Sequence, residues 1–181
     1  MKATATQIPD VLVLEPDVYP DERGFFFESF NRKKFKESTK LDVQFVQDNQ
    51  SHSLKGVLRG LHYQIQRPQG KLVSVIEGEI FDAAVDLRRN SPSFGKWTAI
   101  TVSAENKKQV WIPPGLAHGF LVLSKAATVL YKVTDYYAPQ HERTLIWNDP
   151  AIGIAWPAET SPILSAKDRL GLQLGQAEVF E

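Results

Sequence analysis

Cysteine is absent from the 181 residues, which excludes a disulfide framework and any thiolate metal or redox centre. Net charge is absent too, because 21 basic side chains balance 21 acidic ones. That argues against bulk attraction to nucleic acid or an anionic membrane, while leaving room for a local basic pocket. No apolar run approaches membrane-spanning length, and the first residues lack the basic-then-apolar profile of a signal peptide. We therefore expect a soluble, cytoplasmic protein with no nucleic-acid or membrane partner. Neither Gly-x-x-x-x-Gly-Lys nor Gly-x-Gly-x-x-Gly occurs, so a nucleotide must be held by arginine, lysine and stacking. There is no Ser/His/Asp arrangement of recognisable spacing, no fixed repeat and no low-complexity tract. What is present is ordinary globular usage, 43% hydrophobic and 23% charged, and the length suits a single domain over residues 1–181.

Short strands dominate the pattern. Apolar Val11 to Leu14 is followed by a turn cluster at 19–24 and a strand-like Phe25 to Phe30. Asn31 is placed to cap a short Lys-rich helix reaching Thr39. Val43 to Gln50 reads as a strand whose second half is rich in amides. Between Gly56 and Thr134 we expect strands at 72–76, 79–87, 97–102, 109–112, 119–123 and 129–137, separated by Gly, Pro, Asn and Ser. This density points to a mainly β barrel or sandwich with a few short peripheral helices, not a βαβ sheet. A helical segment opening at Ser165 is expected near the C-terminus.

Residues 56–71, Gly-Val-Leu-Arg-Gly-Leu-His-Tyr-Gln-Ile-Gln-Arg-Pro-Gln-Gly-Lys, concentrate the chemistry. His62 is a base near neutrality, and Arg59 and Lys71 are fixed cations of the kind that acts beside an anion or a developing oxyanion. His62 alone could be a satisfied core histidine, but two neighbouring cations are poor choices for an interior unless paired or functional. Strict alternation sends Arg59 and His62 to opposite faces, so a shared pocket requires a bulge at Gly60. Trp111 to Phe120, with Pro-Pro-Gly before His118, places a second histidine where a strand re-enters the barrel. These two stretches resemble the conserved boxes of the cupin jelly roll. The His-x-His of metal-binding cupins is here His62-Tyr-Gln64, and Lys71 would repel a cation, so we expect no metal.

Tyr131, Val133, Asp135 and Tyr137 share one face of a regular strand. Buried tyrosines are usually packing; the alternative is one phenol as proton donor and the other as a stacking platform. Ser165-x-x-Asp168 has the spacing of a helix capping box. Glu28, behind three phenylalanines, needs a partner.

Taken together, Asp21-Glu-Arg-Gly-Phe-Phe26, Gln47-Asp-Asn49, Gly56-x-x-Arg-Gly-Leu-His62-Tyr, Gly70-Lys71, Ile112-Pro-Pro-Gly-x-Ala-His118-Gly-Phe and Tyr131-x-x-Thr-Asp-Tyr-Tyr137 resemble the dTDP-4-dehydrorhamnose 3,5-epimerase family nearly end to end. The resemblance implies a cupin-like jelly roll, a homodimer exchanging strands across its interface, a dTDP-4-keto-6-deoxy sugar as substrate, and neither metal nor cofactor. It implies His62 as general base, Asp168 as its orienting carboxylate, Tyr131 as the acid on the opposite face and Lys71 at the enolate oxygen, with His118 nearby. It further implies Arg23, Phe26, Glu28, Gln47, Asp48, Asn49 and Arg59 as substrate-binding, together with Tyr137 stacking on thymine, Glu142 and Lys167. Inverting a carbon beside a ketone needs this set: a base, an opposed acid and a cation. The alternatives are a C3-only or C5-only epimerase, a ketoisomerase, a non-catalytic carbohydrate-binding jelly roll, or a metal cupin oxygenase.

Overall fold

A computed structural model describes residues 1–159 and 161–181. Two antiparallel sheets face each other. The first takes β1 (Lys2–Ala5), β2 (Leu12–Glu15), β10 (Gln109–Ile112), β7 (Lys71–Glu77), β12 (Ala126–Val133) and β5 (Gln47–Leu54), in that spatial order. The second runs β13 (Glu142–Thr144), β6 (Leu58–Gln64), β11 (Leu116–Val122), β8 (Glu79–Asp86) and β9 (Trp97–Ser103). This is the sandwich expected from the density of short strands, and the cupin-type jelly roll that the resemblance implies.

Three apolar clusters hold it, and each follows from period-two alternation. Between the sheets, Val73, Val75, Val110, Phe120, Val122 and Val129 close one end of the sandwich, with Ile8 and Val11 as a plug. Behind the second sheet, Leu61, Tyr63, Val85 and Leu145 receive Trp156, Leu174 and Phe180 from the C-terminal chain. Behind the first sheet, Leu14, Leu72 and Trp111 are covered by Phe35, the buried residue of α1 (Arg32–Thr39). Asn31 caps α1 as anticipated, its side-chain oxygen accepting the Lys34 N–H at 3.2 Å. Phe30 and Phe45 complete the cluster with edge-on rings at 5.2 Å. Burying a side chain such as Phe35 stabilises by about 1.5–3 kcal/mol, more than α1's weak local propensity supplies.

Four expectations are corrected. The strand at 25–30 is only β4 (Gly24–Phe26), paired with β3 (Tyr19–Asp21) in a hairpin. Beyond it Glu28 accepts from Asn31 and Lys34, which draws the chain into the start of α1. The strand at 43–50 begins only at Gln47, because Val43 and Phe45 turn into the aromatic cluster. The strand at 129–137 ends at Val133, where Asp135 leaves the ladder to receive Arg67 at 2.5 Å. Lastly, the C-terminal helix is one turn, α2 (Ala166–Arg169). After it the chain is pulled out straight, with Leu172 N–H donating to Thr144 and Ile146 N–H donating to Leu172.

Candidate active site

At the open end of the sandwich a cavity of about 360 Å³ lies between the sheets. Its wall is built by alternation: Gln47, Asn49 and Ser51 face inward from β5, Arg59 and His62 from β6, Lys71 from β7, His118 from β11 and Tyr131 from β12. Tyr137, Glu142 and Lys167 form the rim. Eleven of the residues expected from sequence are thus close neighbours or, like Asp168, bonded to one.

Arg59 and His62 share this cavity because β6 carries the anticipated bulge. His62 pairs with His118 and Arg59 with Phe120, so three steps along β6 are matched to two along β11. One residue of the extra length is Gly60, at φ +121°, a conformation that L side chains rarely adopt. A Cβ built there would lie 2.5 Å from the Gly119 Cα, and one built on Gly119 would lie 2.6 Å from the Arg59 carbonyl oxygen. Two glycines in contact therefore make the shift in phase sterically feasible.

His62 Nε2 is 2.6 Å from Asp168 Oδ1. An Nε2–H donated to the carboxylate leaves Nδ1 as the basic nitrogen. Asp168 is 3% exposed, and Ser165 Oγ both donates to its Oδ2 at 2.8 Å and accepts its N–H at 3.1 Å. The capping box and the orienting carboxylate are thus one device. Burial pushes the Asp168 pKa upward, but hydrogen bonds from His62 and Ser165 outweigh it and hold the group below the usual range. For His62, burial lowers the pKa; the Asp168 bond opposes this, while Lys167 and Lys71 push it down further. The result is a neutral imidazole, the form a general base requires.

Lys71 is buried, its Nζ donating to the His62 carbonyl at 3.3 Å. Burial brings its pKa down to about 8, with Asp82 and Glu142 resisting. Tyr131 is shifted the other way: burial raises its pKa, so the phenol keeps its proton. At the rim, Glu142 accepts from Tyr137 Oη at 2.9 Å and from Lys167 Nζ at 2.8 Å.

Some of the site was not anticipated. His118 Nε2 meets Asp82 at 2.8 Å, a second and almost fully buried histidine–carboxylate pair. The available signal was a carboxylate on the inward face of an apolar strand, in step with Ile80 and Ala84. Gln64 and Gln69 also line the cavity and brace its rim. Gln64 accepts the Ala138 N–H at 2.8 Å, and Gln69 donates to the Asp135 carbonyl at 2.8 Å. Among the described residues, no group of three or more His, Asp or Glu is arranged for a metal.

Four expected residues lie outside this chain's cavity. Asp48 is turned outward by the same alternation that points Gln47 and Asn49 in, and it pairs with Lys132 at 2.9 Å. Arg23 pairs with Asp21 at 2.6 Å on the β3–β4 hairpin, Phe26 on that hairpin is exposed, and Glu28 is held by Lys34.

Comparison with known proteins follows the same line. The family model described as dTDP-4-dehydrorhamnose 3,5-epimerase matches residues 5–176. The chain is 58% identical to the dTDP-4-dehydrorhamnose 3,5-epimerase of Pseudomonas aeruginosa over 180 residues, 99% of each chain. Its fold superposes with a TM-score of 0.95 on a dTDP-6-deoxy-D-glucose-3,5-epimerase from Legionella pneumophila in complex with dTDP-4-keto-L-rhamnose. Those two are 51% identical, over 98% of this chain and 94% of that one. A 3′-monoepimerase from Streptomyces bikiniensis in complex with dTDP-quinovose is 34% identical with a TM-score of 0.89, over 97% of this chain and 88% of that one.

Proposed function

Because this chain belongs to the dTDP-4-dehydrorhamnose 3,5-epimerase family, we propose a mechanism in which its cavity inverts C3 and C5 of dTDP-4-dehydro-6-deoxy-D-glucose, giving dTDP-4-dehydro-L-rhamnose. The observation that carries the reading is the grouping of His62, Lys71 and Tyr131 around one cavity, with Asp168 behind the histidine.

His62 Nδ1 takes the proton from a carbon next to the ketone. The C–H electron pair moves into the ring and onto O4, where the Lys71 ammonium meets the developing enolate charge. Tyr131 then delivers its phenolic proton to the same carbon from the opposite face. Imidazolium and phenolate are reset by proton exchange with solvent, and the ketone permits the sequence to run once at each neighbouring carbon. Positioned acid–base groups contribute about 10²–10⁴ in rate, and a preorganised donor at the oxyanion about 10²–10³ more. Tyr137 stacks on the thymine, with Glu142 and Lys167 at the rim. Gln47, Asn49 and Arg59 hold the diphosphate and sugar, and the His118–Asp82 pair sits beside the ketone.

Arg23, Phe26 and Glu28 act in the cavity of a second copy. Phe25 and Phe26, 57% and 67% exposed on the second strand of the chain's own hairpin, support such a homodimer. A dTDP-sugar substrate supports a cytoplasmic location.

The test is proton NMR of the dTDP-keto sugar in deuterated water. Deuterium should enter at both C3 and C5; entry at neither overturns the assignment, and entry at one alone reassigns the chain to a single-centre epimerase. Tyr131→Phe should retain exchange but fail to complete inversion.

A further inference from the structure

One side chain in the cavity wall has no part in the scheme above. Ser51 stands on β5 between Asn49 and Ser53, on the inward face, and lines the cavity. Its Oγ is buried without a hydrogen-bond partner among the described residues. An enclosed hydroxyl left unpaired is costly, and native proteins rarely keep one without a use. Rotation about χ1 between staggered wells turns such a hydroxyl toward whatever fills the cavity.

The neighbour decides what that is. Arg59 is tethered by Nε to Ser53 Oγ at 2.9 Å and by one terminal nitrogen to the His52 carbonyl at 3.4 Å. Both partners are neutral, and no carboxylate of the described residues reaches the guanidinium. Thus Arg59 presents an uncompensated charge and free N–H groups on the same stretch of wall as the orphaned hydroxyl. A planar cation with a hydroxyl beside it matches an anionic oxygen pair better than a sugar hydroxyl, which would leave the charge unmet.

We propose that Ser51 is a substrate-binding residue, donating its hydroxyl to a phosphate oxygen of the nucleoside diphosphate while Arg59 takes the neighbouring oxygens. This rests on the reading of the cavity as a nucleotide-sugar site. Ser51→Thr and Ser51→Val provide the test, because the two side chains have the same shape and differ by a hydroxyl. By calorimetric titration with dTDP, the Thr variant should bind about 10-fold more tightly than the Val variant, a difference of about 1.4 kcal/mol. Thermal midpoints of the unliganded Ser51→Ala and wild-type proteins should be equal, or higher in the variant, since no protein contact is lost. Equal dTDP affinity of the Thr and Val variants overturns the proposal, even if affinity for the intact dTDP-sugar differs. So does a lowered midpoint in Ser51→Ala, which would give the hydroxyl a structural role. Wild-type protein that binds dTDP yet exchanges no sugar protons would instead overturn the reaction assigned above and leave Ser51 standing.

Discussion

At the scale of single residues, the site trades stability for chemistry, most plainly at Lys71. Its ordinary pKa is 10.5 and its folded value about 8. Between those values the unfolded chain binds a proton that the folded chain has shed, so stability rises with pH from about 8 to 10.5. Below pH 8 the buried ammonium destabilises the fold, by about 3 kcal/mol for a shift of that size. Lys71→Met should therefore raise the thermal midpoint at pH 7 and abolish the gain on going to pH 10, while turnover collapses; an unchanged midpoint would contradict the burial cost. The same two shifts bound activity in wild type. Rate falls on the acid side as His62 is protonated, below its ordinary 6.5. It falls on the alkaline side as Lys71 deprotonates near 8.

At the scale of elements, the decisive feature is the out-of-phase step in β6. Gly119→Ala places a methyl 2.6 Å from the Arg59 carbonyl. The strands must separate there, displacing Arg59 relative to His62. We expect a loss of 10-fold or more in kcat/KM through misplacement of positioned groups, with dTDP still bound, as steady-state kinetics and titration would show. Wild-type kinetics in this variant would mean that the glycine contact is incidental. Much at this scale was legible in the sequence. Gly60 between Arg59 and His62, which had to share a pocket, announced the bulge, and Asn31 before a Lys-rich stretch announced α1. The strand ends were not legible, because they are set by distant partners. Val43 and Phe45 look like strand residues until Trp111 and Phe35 offer them an aromatic cluster. Likewise Leu170, Leu172 and Leu174 suggest a continuing helix until Leu172 bonds to Thr144. The Asp82–His118 pair stayed hidden because its members sit on different strands, and the pattern along one strand shows only that Asp82 points inward.

At the scale of the whole molecule, one chain holds the reacting groups but not the expected Arg23, Phe26 and Glu28. If each hairpin serves a partner's cavity, defects in the hairpin and in the base lie in different sites and can complement. Mixing His62→Ala with Arg23→Ala chains, after subunit exchange, should restore about one quarter of wild-type sites by random pairing of two-fold dimers. No recovery over either parent would place Arg23 outside the shared site. Amide-rich β5 likewise has two wet faces: alternation sends Gln47 and Asn49 to the cavity and Asp48 to Lys132.

The bond between His62 and Asp168 joins residues 106 positions apart. During synthesis both sheets can pair once Thr144 has left the ribosome, but the carboxylate that sets the histidine's tautomer follows later, on α2. A nascent or clipped chain ending before α2 is thus a shell with a mouth, a cation and an unaimed ring.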